Sequence, residues 1–321
     1  MKRTKICVVG CGKWGINHVK TLNDLGSLGG IVEDNQSRLN ELRIQYPSCN
    51  FYSDLDSALI EDFDAFIIAT PAATHYDLSY KVISNQKSLL VEKPLTLDYA
   101  SSIKLCEFAD EMGVKLMVGH VLLFHPAFQK MKQIIDQGDL GEIQYIYSNR
   151  LNLGTFRTNE NVFWSFAPHD VALFNFFFEQ NPLTIISTGV DILQKNIHDS
   201  SITSFKYENN KMGHIFVSWL HPFKEHRFVI IGSNGMLHFE DSNDRNPLLL
   251  YDKKAEFIGG IPSPKSGDIK SIKYDNEPPL TNELKYFISI LDKGKLEIAN
   301  GRSGAEVIRM LELATKSLKN N

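Results

Sequence analysis

The chain has 321 residues, 43% of them hydrophobic and 22% charged, with a formal net charge of −4. That is enough sequence for two hydrophobic cores, because a single core stops growing near roughly 250 to 300 residues. The ordinary composition excludes a disordered or fibrous chain; Lys and Arg are scattered, which excludes a basic footprint for nucleic acid or an anionic membrane and leaves a small molecule as the expected partner.

The opening "MKRTKICVVG" carries basic residues, but its apolar run is too short for a signal peptide. No stretch approaches about 18 unbroken apolar residues, so no membrane span is expected. Cys7, Cys11, Cys49 and Cys106 form no CxxC pair and are too few for a disulfide framework. A reducing, cytoplasmic setting follows.

From Lys5 to about Val118, short apolar runs ("KICVVG", "GGIVED", "AFIIAT", "SLLVEK", "KLMVG") alternate with helical stretches such as Ile16, Val19, Leu22 and Leu25. Strict alternation predicts βαβ units, hence a doubly wound parallel sheet with helices on both faces, a Rossmann fold. "VVGCGKWG" then sets Gly10, Gly12 and Gly15 in GxGxxG spacing between the first strand and the first helix, with Lys13 and Trp14 inside the loop. The first glycine permits the turn, the second admits a pyrophosphate, and the third lets helix and strand pack. Phosphate charge would sit at the helix N-terminus.

The second strand ends in "IVEDNQSR", and Asp34 lies where an acidic group accepts hydrogen bonds from the adenosine ribose and repels a 2′-phosphate. NAD is therefore expected rather than NADP, with Glu33 as the competing carboxylate and Arg38 as a side chain within reach of a phosphate. In "IIATPAATH", Thr70, Pro71 and His75 leave the fourth strand and are candidates to line the cofactor crevice. "LLVEKPLTLD" places Glu92, Lys93 and Pro94 where the fifth apolar run stops. Ligands bind outside the carboxyl ends of parallel strands, so Glu92 and Lys93 are expected to face the nicotinamide half of the site. Proline after Lys93 restricts its backbone and permits a cis bond, and partial desolvation would lower the amine's pKa toward that of a proton shuttle.

After about Val121 the rhythm changes. "PAFQKMKQIIDQG" predicts a helix ending at Gly138, and "EIQYIYSNRLNL", "SITSFKY", "GHIFVSWL", "RFVIIG" and "GMLHFE" alternate as strands separated by turns such as "ENNKMG" and "GSNG". Two helices close the chain, the last opening with capping-box spacing from Ser303 to Glu306. The expected organisation is a cofactor domain over residues 1–121 and an α+β domain with a large, mainly antiparallel sheet over 122–321.

In "NVFWSFAPHDVALFNFF", Pro168 marks a helix start and puts His169 and Asp170 in the first turn. The positive end of the helix dipole favours a neutral histidine, suited to act as a base. Asp170 is a second substrate candidate, although a first-turn carboxylate also stabilises a helix without any chemistry. Arg150 and Asn152 share one face near a strand end, and Arg157 and Trp164 are candidates for a diphosphate and a stacked base or sugar. His120 and His125 flank the domain crossover, where packing or capping roles compete with substrate contact. His221 and His226 in "HPFKEH" fit no zinc spacing, and no metal is expected.

The glycine loop, the "EKP" that closes the fifth strand, the helix "PAFQKMKQIIDQGDLGEI", the C-terminal antiparallel sheet and the terminal "PLTNELKYFISIL" helix together resemble the Gfo/Idh/MocA oxidoreductase family over nearly the whole chain. The resemblance implies that Lys93 touches both nicotinamide and the reacting hydroxyl, that His169 is its acid–base partner, and that the large sheet builds homodimers or homotetramers. Relatives place an aspartate four residues before that histidine; Ser165 stands there, which removes support for an Asp–His relay. "NLGTFRTNENVFWSFAPHD" looks like the branch that oxidises the 3-hydroxyl of UDP-N-acetylglucosamine or a related UDP-sugar for envelope polysaccharide or lipid A synthesis. The alternatives are a dehydrogenase of a free sugar or inositol, and a sensor on the same fold without turnover.

Overall fold

A computed structural model of the chain describes residues 3–242, 245, 247–292 and 294–320. The chain divides into two compact units, residues 1–124 with 277–309, and residues 125–276 with 310–321.

The first unit holds β1 (Ile6–Val9), α1 (Gly15–Asp24), β2 (Leu28–Val32), α2 (Gln36–Gln45), β3 (Asn50–Tyr52), α3 (Leu55–Leu59), β4 (Ala65–Ile68), α4 (His75–Ser84), β5 (Ser88–Glu92), α5 (Tyr99–Glu111) and β6 (Leu116–Gly119). Its six strands run β3-β2-β1-β4-β5-β6, all parallel. Strand order reverses between β1 and β4, the point at which an open sheet offers a crevice beyond its carboxyl ends. The central strands β1 and β4 are buried at every residue, as a sheet covered on both faces requires. Strand β3 escapes periodicity analysis because "NFY" is three residues long.

The second unit contains α6 (Pro126–Asp136), β7 (Ile143–Leu151), α7 (Val162–Phe166), α8 (Pro168–Phe178), β8 (Thr184–Val190), β9 (Ser200–Lys206), β10 (Met212–Ser218), β11 (Glu225–Gly232), β12 (Met236–Glu240), β13 (Leu248–Ile258) and β14 (Ile261–Ile272). Its eight strands run β14-β13-β12-β11-β7-β10-β9-β8. The pair β7–β10 is parallel and the remaining neighbours are antiparallel. Helix α8 is apolar nearly all round and buries Phe174 edge-to-face against Phe205 and Phe228, with ring centroids 5.4 and 5.9 Å apart. The hairpin β13–β14 turns at Gly259 and Gly260, both at positive φ.

Helices α9 (Pro279–Asp292) and α10 (Gly301–Asn320) complete the chain. The first unit recruits α9 and the opening turns of α10, so it is not confined to the residues before 121. The reason is a strand edge: the Val118 amide on β6 donates to Ala299 O at 2.8 Å, and Ala305 joins the core packed on that sheet. Helix α10 is capped by Asn300, whose side chain accepts from the Ser303 amide at 2.9 Å. The Ser303–Glu306 capping box is thereby corrected. Ser303 already lies inside the helix, and Glu306 instead accepts from Arg309 at 2.7 Å and from the Tyr99 hydroxyl at 3.3 Å.

Candidate active site

The glycine turn is built by steric exclusion. Gly10 sits at φ +86°, and a Cβ on Gly15 would stand 2.0 Å from Gly10 O, so neither position tolerates a side chain. A Cβ on Gly12 would meet nothing within 4 Å. The protein itself gives no packing reason for glycine there, which fits a position left bare for a ligand. Helix α1 begins beside it with no side-chain cap and no acidic residue in its first turn, so its dipole is left to favour an anion, while the Ile16 and Asn17 amides bond back to Gly12 O and Trp14 O.

These elements border a cavity of about 660 Å³, lined by residues 10–14, Glu33 and Asp34, Ser53 to Leu55, and Ala69 to Pro71. Of the sequence candidates, Gly10, Gly12, Lys13, Trp14, Asp34, Thr70 and Pro71 meet here. Ser53, Asp54 and Leu55 were missed, because a loop after a three-residue strand leaves no motif. The two carboxylates after β2 divide their duties. Glu33 folds back, accepting from the Cys11 amide at 2.9 Å and the Asn35 amide at 3.0 Å, while Asp34 stays exposed at the cavity wall. Glu33 is thus a brace of the glycine turn, and Asp34 is the ribose candidate. Burial and then the Glu33 charge push the Cys11 thiol up to about 12, so it is inert in the turn. Arg38 pairs with Glu41 at 3.2 Å on α2.

Glu92, predicted to touch cofactor, is instead buried at 7% exposure. Its Oε1 accepts from the Trp14 indole at 2.5 Å and lies 2.7 Å from His18 Nε2; its Oε2 accepts from the Lys93 amide at 3.2 Å. One carboxylate therefore fastens the start of α1 to the end of β5, and it holds the backbone of a half-buried Lys93. The Lys93–Pro94 bond is cis. His75, also expected at the cofactor crevice, is 1% exposed, with Nδ1 2.7 Å from Pro94 O and Nε2 2.9 Å from Thr70 O.

Two further ionisable groups gather behind the lysine. Burial, reinforced by the Lys93 charge and opposed by Glu92, brings the His120 ring down to about 4, so it stays neutral. Glu283 on α9 is fully buried, and desolvation followed by the Glu92 charge holds its carboxyl well above the usual range. Among the described residues neither Glu283 oxygen has a hydrogen-bond partner. Glu283 was missed because it sits in an amphipathic helix far down the sequence; His18 was missed too, although its place one helical turn after Trp14 puts the two on one face.

In the second unit, His169 is half-buried at the second residue of α8. Asp170 is not free for substrate. It is 1% exposed, accepts from Arg150 Nε at 2.7 Å and Nη2 at 3.2 Å, and takes the Ser148 hydroxyl at 2.5 Å. Arg150 and Asp170 were separate substrate candidates; the fold makes them one buried ion pair between β7 and α8. Trp164 is half-buried and donates its indole N–H to Thr315 Oγ1 at 2.8 Å, a bond in the ring plane that anchors the side chain. Arg157 is exposed, 3.5 Å from Glu160, and Asn152 is half-buried with its amide on Ser218 O. His125 caps α6, its Nδ1 accepting from the Ala127 amide at 3.1 Å. His221 faces Phe223 O and His226 faces Asp241. Among the described residues no group of three or more His, Cys, Asp or Glu side chains is placed to hold a metal, and no helix is long and apolar enough to cross a membrane.

Comparison with known proteins matches residues 4–120 to the Gfo/Idh/MocA oxidoreductase family, NAD-binding Rossmann fold, and residues 128–238 to the Gfo/Idh/MocA C-terminal domain. The chain is 24% identical over 302 residues to UDP-N-acetylglucosamine 3-dehydrogenase of Acidithiobacillus ferrooxidans, covering 94% of this chain and 93% of that protein. It is 33% identical to inositol 2-dehydrogenase of Mycolicibacterium smegmatis, over 44% of this chain and 43% of that protein. A crystal structure of the Acidithiobacillus enzyme superposes with a TM-score of 0.87 at 22% identity, covering 100% of this chain and 99% of that one. The WlbA dehydrogenase of Bordetella pertussis, in complex with NADH and UDP-GlcNAcA, superposes with a TM-score of 0.78 at 19% identity, covering 99% and 97%.

Proposed function

Because the chain belongs to the Gfo/Idh/MocA family of NAD-binding oxidoreductases, we propose that it oxidises a secondary hydroxyl of a nucleotide sugar, at C3 of UDP-N-acetylglucosamine or a related UDP-sugar. The observation that carries the reading is Lys93, set at the carboxyl end of β5 by a carboxylate that also grips Trp14 at the wall of the glycine-loop cavity. When bound there, NAD supplies the hydride acceptor. Gly12 leaves the backbone open to its pyrophosphate, the dipole of α1 favours the charge, and Asp34 accepts from ribose hydroxyls. A second carboxylate, Glu33, beside Asp34 at the cavity adds to the repulsion of a 2′-phosphate, which favours NAD over NADP.

Lys93 takes the hydroxyl proton as hydride departs and stabilises the developing oxyanion. His169 is assigned as the second acid–base group, working without an aspartate at position 165. The UDP-sugar assignment is supported by similarity over 94% of the chain to the Acidithiobacillus enzyme, against about 80% for inositol dehydrogenases of comparable identity. A 3-keto sugar product suits transamination in envelope glycan or lipid A synthesis. Self-association is proposed through the outer sheet face of the second unit, where Ile186, Val190, Ile202 and Met212 lie exposed on β8 to β10.

The test is absorbance at 340 nm with NAD and a panel of UDP-sugars, free sugars and inositols. UDP-N-acetylglucosamine should give turnover; turnover on myo-inositol alone would transfer the assignment to the inositol class, and none on any substrate would favour a sensor. Lys93→Ala should keep NAD affinity and lose about 10²- to 10⁴-fold in turnover.

A further inference from the structure

The parallel ladder between β4 and β5 ends at the pair Ile68 and Val91. Beyond it two loops diverge. One carries Thr70, which lines the cofactor cavity and lies so close to the glycine turn that a Cβ on Gly10 would stand 2.7 Å from its Cγ2. The other carries Lys93 and Pro94. A single side chain joins the two. His75 at the start of α4 is 1% exposed, with Nδ1 2.7 Å from Pro94 O and Nε2 2.9 Å from Thr70 O. Both partners are carbonyl oxygens, which accept only, so the ring ties the two loops at once as the imidazolium, with an N–H on each side; a neutral ring donates to one carbonyl and only abuts the other.

Each loop is stiff on its own account, so the ring joins two firm bodies. On the cavity side, Thr74 Oγ1 donates to Pro71 O at 2.8 Å and lies 2.7 Å from Thr70 Oγ1. On the lysine side, Leu95 is 1% exposed and Thr96 Oγ1 donates to Asp98 O at 2.6 Å. A displacement of the Thr70 carbonyl is therefore passed to Pro94, the residue next to Lys93, and is not absorbed by a slack segment.

We propose that His75 is a positioning residue which couples occupancy of the dinucleotide cavity to the placement of Lys93. The inference rests on the cofactor reading given above. A ring that merely filled space would leave the two loops independent; a two-ended tie makes a ligand pressed against Thr70 order the segment after Lys93.

Hydrogen exchange read by mass spectrometry on the full chain, with and without saturating NAD, tests it in the wild type, His75→Asn and His75→Gln. Asparagine keeps a nitrogen near the Nδ1 position facing Pro94 O, and glutamine one near Nε2 facing Thr70 O, so each retains polarity and one end of the tie. In the wild type NAD should slow exchange by about threefold or more at residues 69–75 and also at 95–98, residues with no part in the proposed cofactor contacts. In both variants the slowing at 69–75 should persist while that at 95–98 disappears. Variants that still transmit the slowing to 95–98 overturn the proposal, as does a wild type protected at residues 10–15 and 69–75 alone. Absence of NAD protection at residues 10–15 in the wild type would overturn the cofactor reading, and this inference with it.

Discussion

Lys93 stands against a buried cluster in which burial decides which groups carry charge. His120 is held at about 4, below its ordinary 6.5, so the folded state binds fewer protons than the unfolded chain between those values. Stability is therefore fully present above about pH 6.5 and is lost as pH falls toward 4, by on the order of 3 kcal/mol. Urea titrations of wild type and His120→Asn across that window should show a shallower acid loss in the variant; parallel curves would remove His120 from the account. Glu283 has the opposite sign. Its folded value is raised above 4.5, so its stabilising contribution is greatest at acid pH and falls as pH rises past 4.5. Glu283→Gln, which cannot ionise, should gain stability relative to wild type with rising pH, by up to about 1.4 kcal/mol per unit within the window. Melting temperatures at pH 5 and pH 8 give the comparison.

At the scale of elements, the turn between β1 and α1 and the junction of β7 with α8 fail in different ways when altered. Gly15→Ala puts a methyl 2.0 Å from Gly10 O, so β1 and α1 must separate. NAD affinity measured by calorimetry should fall at least about tenfold, since the positive end of the helix dipole is moved away from the turn. Asp170→Ala takes from Arg150, with 15% of its side chain exposed, its hydrogen-bonded carboxylate between β7 and α8 and leaves it only the charge of Asp241. The loss should be about 3–5 kcal/mol of stability, read by chemical denaturation, and His169 sits one residue from the damage. Arg150→Met with Asp170→Leu should recover much of that loss, because replacing both charges with apolar groups removes the ion left without its carboxylate.

For the whole molecule, the closing segment belongs to the beginning. Val118 on the edge strand β6 bonds to Ala299, while Leu284, Phe287 and Ile290 bury the inner face of α9. A chain cut after residue 276 should lose cooperative thermal unfolding of the first unit, monitored by circular dichroism, because β6 is left with an open edge and an uncovered apolar core. In the second unit the exposed Ile202 gives a test of self-association: Ile202→Glu should lower the mass seen by light scattering if β8 to β10 form an interface.

The sequence by itself determined the alternation of strand and helix in the first unit, the glycine turn, the strand-end placement of Lys93 and the change to a mainly antiparallel sheet. Each is local: side-chain periodicity and the steric needs of a tight turn act within a few residues. Only the tertiary structure decided which polar groups are occupied. It pairs Arg150 with Asp170, turns Glu92 inward to Trp14 and His18, fixes His75 between two carbonyls, and brings Glu283 next to Glu92 across about 190 positions of sequence. Hydrogen-bond partnership and desolvation depend on neighbours that the chain supplies from far away, and no local pattern encodes them.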